Sequence, residues 1–176
     1  MTDLPRSAAA VGAAPTSFDR LFDEEYARVA AIARRVLGDP AAAEDVAQEV
    51  FLDLHRRFGD TPGAQAPAWA RTAAAHTALN MIRTNRRRAA REHLYAAEPD
   101  ASHDPQAVVE TAETTKAVRS ALARIPKRQA TVLVLRYSGL SYAEMASALG
   151  IGVNGVGTRL RRAEARLRKE IGDASI

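Results

Sequence analysis

Side chains that can hydrogen-bond to DNA recur near the C-terminus at spacings of three and four residues, which places them on one side of a predicted helix. They are Asn154, Thr158, Arg159, Arg161 and Arg162. Asparagine and arginine bind base edges in the major groove, and arginine also binds phosphates. The opposite side carries apolar residues at the same spacing, namely Val153, Val156, Leu160, Ala163 and Leu167. The pattern predicts a helix that packs on one side and presents the other to a DNA major groove.

The stretch before it predicts the first helix of a helix-turn-helix. Ser141 and Glu144 have the spacing of a capping box, and Leu140 and Met145 stand at the flanking staple positions. Gly150 is placed to end that helix in a left-handed conformation. The alternative is an ordinary two-helix hairpin with one apolar and one charged side, which this motif alone does not exclude.

A second polar stripe runs along a helix predicted from about residue 68 to residue 91. Its members are Trp69, Ala73, His76, Asn80, Arg83 and Arg87, with Arg86 beside the last. Such side chains suit stacking on and hydrogen bonding to unpaired bases. The alternative is that Trp69 anchors the helix to the core and that the arginines form a solvated end.

Charge is distributed unevenly along a chain whose formal net charge is +4. From Phe18 to Asp60 there are 10 acidic and 6 basic side chains, whereas Arg83 to Arg91 holds five arginines. In the acidic segment, Asp39 caps a predicted helix with Val46, Val50, Phe51 and Leu54 inward and Glu44, Asp45, Gln48, Glu49 and Asp53 outward. One face of the molecule is therefore expected to meet a protein and another a nucleic acid.

These helices predict an all-α protein made of two small domains on a flexible linker. The predicted segments are a disordered tail at 1–15, a first domain at 16–88, a linker at 89–103, a helix-turn-helix domain at 104–171 and a tail at 172–176. Each domain is close to the lower size limit for a stable core.

Catalytic chemistry has no support in the sequence. Cysteine is absent, and the four histidines have no metal-binding spacing. No phosphate-binding loop or nucleophile elbow occurs, so we expect no catalytic residue, metal or cofactor. Neither a signal peptide nor a membrane-spanning run is found, which makes the cytoplasm the expected location.

Two stretches resemble the extracytoplasmic-function, or group 4, sigma factors of bacterial RNA polymerase. They are GDPAAAEDVAQEVFLDL, from Gly38 to Leu54, and IPKRQATVLVLRYSGLSYAEMASALGI, from Ile125 to Ile151. The resemblance extends over nearly everything from Phe18 to Glu170. It implies a promoter-melting domain and a promoter-binding helix-turn-helix domain that give core polymerase its promoter choice.

The resemblance also implies roles for individual residues. Asp45, Gln48 and Glu49 would dock on the coiled coil of the polymerase β′ subunit. The −10 element would be bound by Trp69, His76, Asn80, Arg83, Arg86 and Arg87. The loop from Gly59 to Pro67 would help to hold an extruded base. Residues 89–103 would follow the RNA-exit path, and the last domain would touch the β-subunit flap. The −35 element would be read by Asn154, Thr158, Arg159, Arg161 and Arg162. An anti-sigma factor is a further candidate partner.

The chain departs from the family at two places. His76 and Asn80 stand where relatives usually have Asn and Asp, and Gly157 replaces a lysine. Glycine inside a helix costs about 1 kcal/mol relative to alanine, which predicts a weak first turn in the recognition helix.

A stand-alone regulator that binds an operator as a dimer is the alternative function. The acidic helix argues against it, because such a dimer needs no polymerase-docking surface.

Overall fold

The computed structural model describes residues 17–92 and 106–172, and within these ranges it contains only α-helices and their connections. The helices are α1 Ser17–Leu37, α2 Pro40–Phe58, α3 Ala66–Glu92, α4 Gln106–Arg124, α5 Lys127–Tyr137, α6 Tyr142–Leu149 and α7 Val153–Gly172. The predicted all-α class is confirmed. The N-terminal tail and the tail from residue 173 lie outside the described residues, as does the predicted linker from residue 93. Residues 89–92 belong to α3, so helix continues into the range predicted as linker.

In the N-terminal half, α1–α3, two residues form the junction between α1 and α2, and Asp39 is the cap that the sequence predicted. Gly38 ends α1 with φ +70°, and its N–H donates to the Arg34 carbonyl at 2.7 Å. The Asp39 side chain then accepts from the Ala41 N–H at 3.0 Å and starts α2. The four apolar residues predicted to face inward from α2 are all buried. Phe22 is 38% exposed, because it lies at the rim of a ring cluster with Tyr26 and Phe51.

The C-terminal half, α4–α7, is built around α5, in which every residue from Ala130 to Leu135 is buried. The capping box of Ser141 and Glu144 is complete, and Gly150 is left-handed with φ +63° and ψ +40°. The helix-turn-helix prediction is therefore confirmed in its geometry. Val153 was expected on the buried stripe but is 49% exposed, because it opens α7 ahead of the turn that packs.

The two halves pack against each other. Helix α3 contacts α4, α5 and α6, and α1 contacts α5. Buried residues of both halves belong to one continuous apolar cluster, to which α3 contributes Ala74, Ala75, Ala78 and Leu79. Part of the surface of α3 is therefore covered by the C-terminal half.

Candidate nucleic-acid interface

The recognition helix α7 presents its predicted DNA-facing side chains to solvent. The exposed side chains are Asn154, Thr158, Arg159, Arg161 and Arg162. Val156 and Ala163 are fully buried on the other side and hold the helix against α5 and α6. Both glycines of its first turns, Gly155 and Gly157, lie within the helix. The helix thus carries one continuous polar and cationic surface.

Two residues that the sequence analysis did not single out extend this surface. The guanidinium carbon of Arg136 lies 5.4 Å from the centroid of the Tyr142 ring, a cation–π distance. A Cβ at Gly157 would lie 3.7 Å from Tyr142 Cε2. Arg136, Tyr142, Gly157 and Arg161 line one open cavity of about 610 Å³. The Tyr142 ring therefore lies beside Gly157 at the polar side of α7, and only the tertiary contact shows this.

The stripe predicted along α3 does not act as one surface. Trp69 is half-buried, with its ring 5.9 Å from the Phe58 ring and edge to face with it, and Arg57 lies 5.9 Å over the same indole. This packing matches the alternative in which Trp69 anchors the helix. Asn80, Arg86 and Arg87 are exposed. His76 and Arg83 instead face the C-terminal half.

His76 borders a cavity of about 310 Å³ between the two halves. Arg128 of α5 and Arg159 of α7 line the same cavity. Burial lowers the pKa of His76, and the positive charges of Lys127 and Arg83 lower it further. The imidazole is therefore held in its neutral form among cations.

Arg83 bonds across the same boundary. Its Nη2 donates to the Ile125 carbonyl at 2.8 Å, and its buried Nε has no partner among the described protein atoms. Arg83, Arg86 and Arg87 also line a cavity of about 450 Å³ with Arg124. Arg124 Nε is bound to Glu170 Oε2 at 3.1 Å, so its positive charge is paired within the protein.

The acidic face of α2 is solvent-exposed, as predicted. Asp45, Gln48 and Glu49 are all exposed. Leu52, one turn further on, is 59% exposed and adds an apolar centre that the sequence analysis did not consider. Glu44 differs from these residues, because it accepts a hydrogen bond from the Tyr26 hydroxyl at 2.7 Å. The pKa of Tyr26 is raised, chiefly by that bond.

An ionic cluster that the sequence analysis missed joins the two halves. Arg71 Nε donates to Glu25 Oε2 at 2.8 Å, and both side chains are about 90% buried, with exposures of 10% and 9%. Arg71 Nη1 and Arg28 Nη1 reach Glu144 Oε1 at 3.1 Å and 3.0 Å. Glu25 lies four residues after Leu21 and four before Val29, which places its carboxylate on the apolar stripe of α1. A carboxylate at such a position was the signal in the sequence for a buried ion pair.

Other kinds of site find no support in the part of the chain that the structure describes. Its His, Asp and Glu residues form no group suited to a metal ion. Its helices include none with the length and apolar character to cross a membrane.

Comparisons with known proteins match both halves. The sigma-70 region 2 model matches residues 21–88, and the sigma-70 region 4 model matches residues 115–167. The sigma factor SigK of Mycolicibacterium vanbaalenii is 27% identical over 90% of this chain and 83% of its own length. The sigma factor SigE of Mycolicibacterium smegmatis is 28% identical over 89% of this chain and 62% of its own length. Both are called extracytoplasmic-function RNA polymerase sigma factors.

A solved structure shares the fold. It is the sigma factor RpoE of Bartonella quintana in complex with the anti-sigma factor NepR, with a TM-score of 0.50 and 20% identity over 88% of this chain and 96% of that one. The two matched regions account for most of the chain and include both the acidic helix and the recognition helix. The chain belongs to the sigma-70 family, in its extracytoplasmic-function group of RNA polymerase sigma factors.

Proposed function

We propose that this protein is a dissociable initiation subunit, without catalytic activity of its own, that works in the cytoplasm. It directs core RNA polymerase to promoters through three separate surfaces. The observation that carries the proposal is that one chain exposes both the acidic face of α2 and the cationic face of α7. A dimeric operator-binding regulator needs only the second of these surfaces.

The acidic face, defined as Asp45, Gln48, Glu49 and Leu52, suits the coiled coil of the β′ subunit. Carboxylates at the rim attract a basic partner and set its orientation, while an exposed leucine supplies apolar contact at the centre. The last domain would contact the β-subunit flap.

The −35 surface is the exposed face of α7 together with Arg136 and Tyr142. Asn154, Thr158 and Arg161 follow one another along the helix, as expected of side chains that read successive bases. Arg159 and Arg162 flank them and suit phosphates. Tyr142 lies beside Gly157 at this surface.

The −10 surface is the end of α3, where Asn80, Arg86 and Arg87 are exposed. Arginines here suit the backbone of the non-template strand, and Asn80 suits a base edge. His76 and Arg83 join this surface only when the C-terminal half moves away. Trp69 supports it from the core side.

Transcription in vitro with core polymerase and a promoter library tests the function. We expect specific start sites that depend on this subunit. Core polymerase that forms no stable complex with it and selects no start sites contradicts the proposal. Size-exclusion chromatography separates the alternative, because a homodimer that ignores core polymerase is the behaviour of a stand-alone regulator.

A further inference from the structure

Four arginines and two alanines line one open cleft between α3 and α4, with a volume of about 450 Å³. The lining residues are Arg83, Arg86, Arg87, Ala90, Ala123 and Arg124. The three arginines of α3 follow one another at helical spacing and so share one face, while Arg124 stands at the C-terminal end of α4. The described lining of the cleft therefore carries positive charge and no carboxylate.

The charges of the α3 arginines are not balanced by the protein. In the part of the chain that the structure describes, no carboxylate forms an ion pair with Arg83, Arg86 or Arg87. Like charges three and four positions apart on a helix repel each other. Arg83 is also short of hydrogen bonds, because its Nε is shielded from solvent and has no acceptor among the described protein atoms. A bound anion supplies the counter-charge that the cleft lacks.

Arg124 is held in place from the other side. Its Nε and Nη2 donate to the Oε2 and the carbonyl oxygen of Glu170, at 3.1 Å and 2.9 Å. Its Nη1 donates to Ser120 Oγ at 3.0 Å. Because a guanidinium has five N–H donors, two have no partner among the described residues. A side chain fixed in this way loses little freedom when a ligand binds, which favours affinity.

The side chains in the cleft suit phosphoryl oxygens. Arginine binds phosphate through two parallel hydrogen bonds, and all four cations in the described lining are arginines. Cations on two neighbouring helices can surround a compact anion, whereas an extended strand follows one continuous groove. The volume of the cleft is within the range of small-ligand sites. These features favour a compact anion with linked phosphoryl groups.

We infer that the cleft between α3 and α4 binds a small polyphosphate, either a free diphosphate or the diphosphate group of a nucleotide. The binding follows from the cleft alone. Its consequence rests on the proposed function, because Arg86 and Arg87 also belong to the −10 surface. A bound polyphosphate competes with the promoter strand for these two residues and restrains promoter melting as its concentration rises.

Isothermal titration calorimetry of the full-length protein with inorganic pyrophosphate, at constant ionic strength and without divalent cations, tests the binding. We expect one saturable site. Inorganic phosphate should bind at least about tenfold more weakly, because a single phosphoryl group engages fewer of the arginines. Adenosine diphosphate distinguishes the two sources of the anion. Tighter binding than pyrophosphate identifies a nucleotide ligand, and weaker binding identifies a free diphosphate.

Arg86→Ala and Arg87→Ala are the informative variants, since both residues are exposed and lie outside the core. Each should weaken pyrophosphate binding by about tenfold, the effect of one lost charge-assisted hydrogen bond. Arg20→Ala is the matched control, because it removes the same charge from an exposed position on α1 and should leave the affinity unchanged. Arg124→Ala should also weaken binding, and circular dichroism checks that this variant stays folded.

Three results overturn the binding. They are the absence of a saturable site, equal affinities for pyrophosphate and phosphate, and equal losses for Arg86→Ala and Arg20→Ala. The competition is measured with a fluorescent single-stranded −10 oligonucleotide, which pyrophosphate should displace. An oligonucleotide that stays bound at saturating pyrophosphate overturns the competition. Failure of the proposed function gives a different result, namely that pyrophosphate binds as expected although the protein binds neither the oligonucleotide nor core polymerase.

Discussion

Arg83 and Ile125 are 42 positions apart in the chain, yet the guanidinium of the first donates to the carbonyl of the second at 2.8 Å. The bond joins the arginine-rich end of α3 to the turn between α4 and α5. A side chain proposed for promoter DNA is therefore used inside the free protein. Binding of the DNA strand by Arg83 requires that this contact be given up.

Asn80 and Arg83 are expected to differ when replaced by alanine. Asn80→Ala should reduce open-complex formation and leave initial promoter binding nearly intact, because Asn80 is exposed and is proposed to contact only the melted strand. Arg83→Ala should also reduce open-complex formation. Unlike Asn80→Ala, it should in addition loosen the packing between the N-terminal and C-terminal halves. Permanganate footprinting measures melting, and a gel-shift assay measures binding. Equal losses in both assays for Asn80→Ala contradict its assigned role.

Breaking the buried pair of Glu25 and Arg71 should destabilise the protein strongly. We expect Glu25→Gln to cost up to about 3–5 kcal/mol of unfolding free energy, because it removes the buried carboxylate paired with Arg71 and leaves that guanidinium only the partly exposed Glu144. Urea denaturation followed by circular dichroism measures the change. Replacing both residues, as Glu25→Leu with Arg71→Met, should cost less than the single change. A loss under about 1 kcal/mol for Glu25→Gln is inconsistent with a buried pair.

Gly38→Ala should be more harmful than Gly150→Ala. Both glycines have positive φ, +70° and +63°, so each alanine pays a backbone cost of about 1 kcal/mol. At Gly38 the added Cβ would also displace the Arg119 guanidinium, which is hydrogen-bonded to the Val36 carbonyl, whereas nothing lies within 4 Å at Gly150. Thermal unfolding should show the larger loss for Gly38→Ala. In an Arg119→Ala background that excess should disappear, and its persistence contradicts the steric explanation.

Burial and nearby cations lower the pKa of His76 from the ordinary value of 6.5. The free energy of unfolding should therefore fall as the pH drops below 6.5. In that range the unfolded chain binds the proton more readily than the folded protein, so acid favours unfolding. Urea titrations between about pH 5 and 8 measure this dependence. His76→Gln should flatten it. Glu144 does not interfere, because its pKa is lowered from 4.5 and its contribution is lost only in more acidic solution.

Reversal of charge on the acidic face should weaken polymerase binding. We expect Asp45→Arg to lower affinity for core polymerase at least tenfold, because it places a cation against a basic partner. Glu24→Arg makes the same change in charge on another exposed surface and should have little effect. Leu52→Ala should weaken binding without changing its salt dependence. Fluorescence anisotropy with labelled subunit measures all three, and equal affinities for Asp45→Arg and Glu24→Arg contradict the docking assignment.

The recognition helix offers a test of base reading against phosphate binding. Asn154→Ala should lower discrimination between −35 sequences by about 1–3 kcal/mol. Arg162→Ala should weaken binding to all −35 sequences alike. It should also reduce by about one the slope of log affinity against log salt concentration. Duplex binding at several salt concentrations separates the two effects. A uniform loss for Asn154→Ala assigns that residue to the backbone instead.

The sequence by itself determined the local structure and the family. Caps such as Asp39 and the Ser141–Glu144 box depend on neighbours two or three positions away, so their geometry followed from spacing alone. The outward faces of α2 and α7 followed from periodicity, because one stripe of each helix must be buried. The prediction for Val153 was wrong because that rule does not hold at the end of a helix.

Only the tertiary structure decided which polar residues meet. Glu25, Arg71 and Glu144 lie on three helices, and their pairing depends on how the halves dock, which periodicity does not specify. The same docking leaves His76 and Arg83 half-buried and Asn80 exposed, although all three share one stripe. Helical spacing fixes the direction of a side chain relative to its own axis. What lies opposite that side chain is fixed by contacts between segments far apart in the chain.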